Sequence, residues 1–251
     1  MRPLPPRLIF IWATPRSVST AFAKSLSQIP DTRLEHEPFT DAYYFGPDRR
    51  NHRYDRSATR TSDDASSVSR HLSAEIPQRG TLLVKELAFQ GQPYLSPDLA
   101  ARATHIAITR HPARVYSSLV GLKPDFTRDE FGFVPLHGLL ADLRTAGHDV
   151  RTVVDGDQLR ARPAAVVSQV CRLLELPYSD DLLHWNDGRI RSWSEHEQLS
   201  QAVWHQTLES SHGLIPAPAL SPADPTSFAR PSHEDIYREA LVLYARMVPA
   251  P

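Results

Sequence analysis

The segment that most constrains the fold of this chain lies near its start, at residues 8–20 (LIFIWATPRSVST). Residues 8–13 are apolar, and a short uninterrupted apolar run of this length is typical of a buried β-strand. The strand ends at Thr14 and Pro15, which predict a turn, and an apolar-periodic sequence typical of a helix follows. Backbone N–H groups and the positive end of the dipole at such a helix N-terminus attract an anion. The turn adds a positive charge and three hydroxyl groups, from Arg16, Ser17, Ser19 and Thr20, and therefore predicts a phosphate-binding junction.

The composition of this turn separates it from the nucleoside-triphosphate P-loop. That loop needs G-x-x-x-x-G-K-[ST], and the turn here has neither glycine nor lysine. An ordinary strand–turn–helix junction with a serine N-cap also fits the segment when it is taken alone. The turn resembles the 5′-phosphosulfate loop of sulfotransferases, P-[KR]-S-G-[ST]-T, at Pro15, Arg16, Ser17, Ser19 and Thr20. Val18 stands where that loop has glycine, so the backbone is not expected to adopt a glycine-only conformation.

A second strand-to-helix junction carries a companion motif. Residues 104–119 read THIAITRHPARVYSSL, with a predicted strand that ends before Arg110 and a helix that begins at Pro112. Sulfotransferases hold the 3′-phosphate of the donor with an R-[DN]-P-x-x-x-x-x-S element, and Arg110 and Ser118 stand at that spacing here. A guanidinium fork and a hydroxyl suit a phosphate dianion. The motif alone also fits an arginine in a surface ion pair, but two phosphate motifs in the family's order favour the resemblance.

The rest of the chain alternates predicted strands and helices, which indicates a parallel sheet with helices on both faces. The length of 251 residues and the hydrophobic content of 41% suit a single domain over 1–251. We therefore expect an α/β fold, a single-domain, P-loop-like three-layer α/β/α arrangement with a central parallel sheet. The predicted strands are 7–13, 32–36, 81–86, 104–109 and 150–155. The predicted helices are 19–28, 64–76, 97–102, 112–120, 136–147, 163–175, 195–210 and 233–247.

Charged residues follow several of the predicted strands, and parallel sheets bind ligands beyond the carboxyl ends of their strands. These residues, Arg16, Glu37, Lys85 and Arg110, are therefore expected to converge. The resemblance implies a base for the acceptor hydroxyl. The histidine of the K-T-H strand in well-known cytosolic members is missing, because that strand reads K-E-L here. Glycan and glycolipid enzymes of the family use a glutamate after the first helix, which makes Glu37 the first candidate and His36 the second.

The resemblance also implies roles for two cations. Arg16 matches the group that holds the 5′-phosphate and the departing charge, and Lys85 matches the lysine that contacts the transferring sulfuryl group. Structural ion pairs are the alternative, of Glu37 with Arg16 or Arg110, and of Lys85 with Glu86 or Glu37. A later R-K-G-x-x-G-D-W-K segment of the cytosolic members, which also grips the 3′-phosphate, is absent. The candidates to replace it lie near Ser210, Ser211 and His212.

Segments without a regular period predict loops at 38–63, 121–135 and 213–232. The first two are expected to bind the acceptor. The candidates for substrate contact in the first loop are Phe39, Tyr43 and Tyr44, with local packing as an equal alternative. The third segment is rich in proline, alanine and serine, and we expect it to connect to a terminal helix.

Composition excludes several classes of partner and site. A net charge of −1 and a pI near 6.9 give no basic field for nucleic acid or an anionic membrane. The single cysteine, Cys171, rules out an internal disulfide and indicates a reducing cytoplasm. We expect no signal peptide and no membrane span, because the apolar runs are far shorter than the ~20 residues of a span. No H-E-x-x-H or C-x-x-C pattern predicts a metal site.

These residues together predict an enzyme that depends on 3′-phosphoadenosine 5′-phosphosulfate (PAPS). Its sulfuryl group would pass in line to a hydroxyl of a small metabolite, and 3′,5′-ADP would remain. A sugar, a lipid, a phenol or a biosynthetic intermediate would each fit as the acceptor. A non-catalytic nucleotide-binding module of the same fold is one alternative, and a P-loop kinase is another that the missing Gly-Lys pair disfavours.

Overall fold

Five parallel strands form the central sheet in this computed structural model, which describes residues 6–54, 64–191, 202–218 and 223–248. The strands are β1 (Arg7–Ala13), β2 (Thr32–His36), β3 (Thr81–Leu87), β4 (Ala103–Thr109) and β5 (Asp149–Asp155). Their order across the sheet is β2-β3-β1-β4-β5, and every neighbouring pair is parallel. The carboxyl ends of all five therefore share one edge. The predicted strands are confirmed to within one residue at each end.

Helices cover both faces of the sheet. They are α1 (Ser19–Ser27), α2 (Thr40–Phe45), α3 (Ala65–Glu75), α4 (Ala88–Gly91), α5 (Pro97–Arg102), α6 (Pro112–Val120), α7 (Arg128–Phe131), α8 (Phe133–Thr145), α9 (Gly156–Ala161), α10 (Pro163–Leu173), α11 (Ala202–Glu209) and α12 (Pro231–Met247). Single 3₁₀ turns lie at Gln92–Tyr94 and Asp180–Leu183. Within the described ranges, no helix is both long enough and apolar enough to cross a membrane.

Alternation along the central strand β1 separates two hydrophobic cores. Phe10 and Trp12 point into a core shared with α6, α8 and α12. Ile9 and Ile11 point into a core shared with α1 and α10 on the opposite face. Both faces of a parallel sheet are buried in this way, which explains the continuous apolar run of the strand. The three-layer α/β/α fold predicted from the sequence is confirmed.

Short helices occupy parts of two predicted loops, and here the loop prediction was wrong. The segment 38–63 contains α2, while 55–63 lies outside the described residues. The segment 121–135 contains α7, which a capping box between Thr127 and Glu130 stabilises. Two more short helices, α4 and α9, follow β3 and β5 directly, and Asp155 caps the second through a hydrogen bond from the N–H of Asp157 at 2.9 Å. Each has six residues or fewer, too short to show a helical period in sequence.

Two further predicted helices begin earlier than expected, and two predicted segments are only partly described. The helix predicted at 136–147 begins at Phe133, because Pro135 lies in its first turn, where the missing N–H is not needed. The start of the helix predicted at 195–210 lies outside the described residues, which resume at position 202. The same holds for 219–222 within the predicted connection 213–232, and the terminal helix α12 begins at Pro231.

Candidate active site

A cleft of about 450 Å³ opens at the carboxyl edge of the sheet. Its volume lies in the roughly 300–1,000 Å³ range of small-molecule sites. Most of the residues predicted from sequence line it: Pro15, Arg16, Ser17, Val18, Ser19, Thr20, Glu37, Tyr44, Lys85, Arg110 and Ser118. The strand ends therefore converge as the parallel topology requires. Three predicted residues are not part of its lining: His36, Phe39 and Tyr43.

The turn after β1 adopts a backbone that L-residues rarely use. Arg16 has φ 58° and Val18 has φ 70°, both in the left-handed region. The expectation that a valine in place of glycine would avoid this conformation was wrong, because Val18 adopts it as the N-cap of α1. For a β-branched residue the conformation is strained, at a cost of about 1–3 kcal/mol. The surrounding structure must hold the turn in place against that strain.

Two glycines allow neighbouring elements to press against this turn. A Cβ atom on Gly156, at the start of α9, would lie 2.4 Å from the carbonyl oxygen of Ser17. A Cβ atom on Gly132, which has φ 87°, would lie 2.5 Å from Cδ of Pro15. Both distances are shorter than any side chain tolerates, so the glycines permit a close approach that clamps the turn from two sides.

The hydroxyl groups of the turn differ in their availability to a ligand. The Ser17 hydroxyl is fully buried and donates a hydrogen bond of 2.7 Å to the carbonyl oxygen of Thr14. Its contribution to a bound anion is therefore limited to its backbone N–H. Ser19 and Thr20 lie in the first turn of α1 and line the cleft. Thr14 itself joins the ends of β1 and β4 through a hydroxyl contact of 3.1 Å with Thr109.

Arg16 connects the two phosphate motifs found in the sequence. Its Nε donates to the hydroxyl of Ser118 at 2.8 Å, and one terminal nitrogen donates to the carbonyl oxygen of Trp204 at 2.9 Å. The guanidinium also lies 5.9 Å from the centre of the Trp204 ring. Burial, and then the positive charge of Arg110, lowers the pKa of Arg16. Among the described residues, Arg16 contacts no carboxylate.

Arg110 stands at the end of β4 with one acidic neighbour. Its Nε donates to Oδ1 of Asp157, on α9, at 2.7 Å, and its side chain is mostly buried. Arg110 therefore forms an ion pair, as the alternative interpretation of the sequence predicted, and also lines the cleft. Two guanidinium groups, on Arg16 and Arg110, thus line the same cleft, and of the two only Arg110 pairs with a carboxylate among the described residues. Such a place favours an anion.

Glu37, directly after β2, forms a buried ion pair with Lys85. Lys85 lies inside β3 and not after it, which corrects the expectation that it follows the strand. The Lys85 ammonium donates to Oε1 of Glu37, and both side chains are nearly inaccessible. Burial works against the charge of the carboxylate, but Lys85, and after it His36 and His205, together lower the pKa of Glu37 to about 2. Glu37 also has a left-handed backbone, with φ 49°, and its N–H donates to the carbonyl oxygen of Lys85 at 2.7 Å. Glu37 is therefore ionised at neutral pH and faces the cleft.

Two histidines surround this ion pair. His36 Nε2 lies 3.7 Å from Oε1 of Glu37, and burial lowers the pKa of His36 well below its usual value. His205, on α11, packs edge-on against His36 with ring centres 5.1 Å apart, and burial lowers the pKa of His205 to about 4. Of the two, His205 lines the cleft. Among the described residues, no group of three or more His, Cys, Asp or Glu side chains is placed to hold a metal ion.

The segment from Trp204 to Ile215 forms one wall of the cleft, and sequence reasoning missed most of it. Its contribution includes Trp204, His205 and Ser211. Of the three residues suggested near the missing motif, Ser211 lines the cleft, whereas Ser210 and His212 do not. The Ser211 hydroxyl donates to the carbonyl oxygen of Leu208 at 2.6 Å. The sequence offers a helix pattern and the candidates near Ser211 in this segment, but no signal that identifies Trp204 or His205 as cleft residues.

The acceptor end of the cleft separates the three predicted aromatic residues. Tyr44 lines the cleft. Tyr43 packs behind it, edge-on to both Tyr44 and Phe89, in a small buried cluster. Phe39 is fully buried in the core and stacks on Tyr94 at 6.0 Å. Local packing therefore describes Phe39 and Tyr43, while Tyr44 keeps its place as a candidate for acceptor contact.

Comparisons with known proteins concern the family and the fold of this chain. A family model described as a sulfotransferase domain matches residues 7–249. The branched-chain-amino-acid aminotransferase-like proteins 2 and 1 of Arabidopsis thaliana are 24% and 23% identical, over 237 and 242 residues. These alignments cover 94% and 95% of this chain but 40% and 41% of the plant proteins. The chain thus spans about two fifths of the length of these curated relatives.

Two solved structures share the fold. The sulfotransferase domain from the curacin biosynthetic pathway aligns with 98% of this chain and 100% of its own, with a TM-score of 0.50 and 15% identity. The sulfotransferase domain from the Synechococcus PCC 7002 olefin synthase aligns with 99% of this chain and 98% of its own, with a TM-score of 0.50 and 16% identity. At these identities the likeness concerns the fold.

Proposed function

The chain belongs to the sulfotransferase family, and on that premise we propose that it transfers a sulfuryl group from PAPS to a hydroxyl of a small metabolite. The observation that carries the proposal is the pair of guanidinium groups, on Arg16 and Arg110, at the junction of the two phosphate motifs. Arg16 is mostly buried, and its pKa is lowered by burial and by Arg110, so the pair lacks a full complement of counter-charge. A ligand with two phosphate groups supplies that charge.

The residues present fit such a donor. The N-terminus of α1 offers backbone N–H groups, and Ser19 and Thr20 add hydroxyls, so this end suits the 5′-phosphate. Arg110 and Ser118 suit the 3′-phosphate, in the roles that the motif implies. When bound, PAPS supplies an activated sulfuryl group. Arg16 then stabilises the negative charge that develops on the departing phosphate oxygen, in a site where preorganised donors act most strongly.

Glu37 is our first candidate to accept the proton of the acceptor hydroxyl. It lines the cleft and is ionised at neutral pH, because Lys85 lowers its pKa to about 2. Lys85 orients the carboxylate and places a second positive charge beside the transfer site. The same ion pair supports a second candidate function, a nucleotide-binding module without transfer activity, because Lys85 reduces the basicity of Glu37. His36 and His205 are the alternatives as base, since both are neutral at pH 7.

Calorimetric titration with 3′,5′-ADP, 5′-AMP and ATP/Mg²⁺ tests the donor site. We expect 3′,5′-ADP to bind at least tenfold more tightly than 5′-AMP, and Arg110→Ala to abolish this preference. Arg114→Ala, four residues further along the chain and in the first turn of α6, provides a matched control that removes a guanidinium outside the cleft lining. Equal affinity for the two nucleotides contradicts the proposal, and selective binding of ATP/Mg²⁺ favours a kinase.

Turnover with PAPS then separates the enzyme from the binding module. Sulfate transfer to any member of a panel of alcohols and phenols, at a rate above the uncatalysed reaction, supports the enzyme. Tight binding of 3′,5′-ADP without transfer across that panel supports the module.

A further inference from the structure

The acceptor end of the cleft has an apolar wall. Tyr44, Leu87, Phe89 and Leu119 line it, together with Tyr54. Tyr44 and Tyr54 lie edge-on with ring centres 5.1 Å apart. Rigid aromatic surfaces of this kind bind flat apolar groups with little loss of side-chain entropy. The wall therefore suits the ring-sized body of an acceptor.

A lysine stands in this apolar wall. The chain has three lysines, at positions 24, 85 and 123, and two of them, Lys85 and Lys123, line the cleft. The Lys123 ammonium donates to Oε1 of Glu130 at 2.7 Å and reaches the hydroxyl of Tyr44 at 3.4 Å. An ammonium has three hydrogens, and in the described part of the chain the contacts with Glu130 and Tyr44 use two of them. One donor of Lys123 is therefore left for a ligand.

The charge of Lys123 is only partly compensated. Glu130 is nearly inaccessible and accepts bonds from Arg53, Asn51 and the N–H of Thr127 as well as from Lys123. Burial works against the charge of Glu130, but these partners lower its pKa, so it stays ionised. Two partly buried cations, Arg53 and Lys123, thus share this one buried carboxylate.

The second carboxylate of the network is too exposed to balance this excess. Asp125 pairs with Arg53 on the outer side, where its own side chain is 41% exposed. Water and salt screen a charge in that position strongly. The interior side of the network, which faces the cleft through Lys123, therefore has a positive excess.

From this arrangement, and resting on the function proposed above, we propose that the acceptor is an alcohol or phenol with a ring-sized apolar body and a carboxylate, and that Lys123 binds the carboxylate. The hydroxyl to be sulfated lies towards Glu37 and Lys85, and the anionic end lies towards Lys123. Lys123 thereby selects acidic acceptors over neutral ones of the same shape. Glu130 is a positioning residue, because it holds the ammonium against the cleft wall.

A matched pair of ligands tests this selection. We would measure the affinities of 3-(4-hydroxyphenyl)propanoate and 3-(4-hydroxyphenyl)propanamide by ligand-observed NMR, with and without saturating 3′,5′-ADP. The two molecules differ by one charge at nearly constant size. We expect the carboxylate to bind about tenfold more tightly than the amide, as is typical of a charge-assisted hydrogen bond. Equal affinities, binding of neither ligand, or a preference for the amide would overturn the proposal.

Substitutions assign the preference to Lys123. In Lys123→Met the preference is expected to disappear while 3′,5′-ADP binds as before, and Lys123→Arg is expected to keep it. Lys24→Met is the matched control, because Lys24 contacts the carbonyl oxygen of Arg189 and does not line the cleft. A carboxylate preference that survives in Lys123→Met overturns the role of Lys123.

The affinity for 3′,5′-ADP and the preference for the carboxylate ligand distinguish the proposed donor site from the proposed acceptor site. Weak binding of 3′,5′-ADP together with a normal carboxylate preference would count against the donor site alone. The comparison of the two ligands on the unmodified protein needs no variant to fold.

Discussion

Replacing Glu86 by glutamine probes the electrostatics beneath the cleft, because Glu86 is a fully buried carboxyl group at the end of β3. One of its oxygens accepts the N–H of Phe39 and the other accepts the N–H of Leu87, each at 2.8 Å. Burial, and then the negative charge of Glu37, raises the pKa of Glu86 to about 8. At neutral pH the folded protein therefore holds a proton that the unfolded chain has lost.

The raised pKa determines the sign and the size of a pH effect on stability. A carboxyl group of this kind stabilises the fold fully below its unfolded pKa of 4.5, and the stabilisation is lost as the pH rises through about 8. At about 1.4 kcal/mol per pH unit, Glu86 removes about 5 kcal/mol from the free energy of unfolding across this window. The variant does not titrate here. Its single carbonyl oxygen keeps one backbone hydrogen bond, at a pH-independent cost of about 1–3 kcal/mol.

Urea unfolding of the unmodified protein and of Glu86→Gln, at pH 5, 6, 7 and 8, measures the effect. Histidines such as His205 titrate in both proteins, so their contributions cancel in the difference between the two. We expect the unmodified protein to be the more stable at pH 5, and the difference to move by several kcal/mol in favour of the variant by pH 8. A difference that stays constant over this range would refute a raised pKa at Glu86.

Three further substitutions test the cleft itself. Ser118→Ala removes the hydroxyl that accepts a hydrogen bond from Arg16, and we expect about a tenfold loss of 3′,5′-ADP affinity by calorimetry. The control is Ser117→Ala, which should bind normally because the Ser117 hydroxyl donates to a carbonyl oxygen within α6. Glu37→Gln should lower turnover by about 10²–10⁴-fold and leave nucleotide affinity unchanged, whereas retained turnover would move the base to a histidine. Gly156→Ala places a Cβ against the phosphate turn. It should lower the stability by about 1–3 kcal/mol, and with it the melting temperature and the nucleotide affinity. In the control Gly121→Ala the Cβ meets only the carbonyl oxygen of Ser117 at 4.0 Å, an ordinary contact, and neither should change.

The residues near the strand ends were predictable from two rules, one that locates the strands and one that brings their ends together. Apolar runs located β1, β3 and β4, and a parallel sheet brings the ends of its strands together. Arg16, Glu37, Lys85 and Arg110 therefore converge without any knowledge of side-chain contacts. The partner of each charge was less predictable. Ion pairs had been considered for Glu37 and Lys85, but that Lys85 selects Glu37 and not Glu86 follows from the strand-end geometry.

Residues that reach the cleft by tertiary packing were not predictable in this way. His205 comes from a helix far along the chain, and its position depends on how α11 packs over the sheet edge. The conformation of Val18 was predicted wrongly, because valine avoids a left-handed backbone locally while the clamp of Gly132 and Gly156 enforces it. A locally unfavourable backbone conformation persists where the packing of the surrounding residues fixes it. Donor identity, the base, the acceptor and a cytoplasmic location stay predictions.

Arg16, Val18 and Glu37 each have a left-handed backbone, a conformation that glycine adopts with less strain than any residue with a side chain. At Arg16 and Glu37 the proposed chemistry needs a charged group, while the backbone would be most relaxed with glycine. At Glu37 the loss of the charge would leave Lys85 buried without its partner, so stability itself favours keeping it. At Arg16 a lineage selected for heat resistance alone would be expected to lose the charge early, since glycine relaxes the backbone there. The identity of the residue at the Arg16 codon thus becomes a record of whether transfer still matters to the organism.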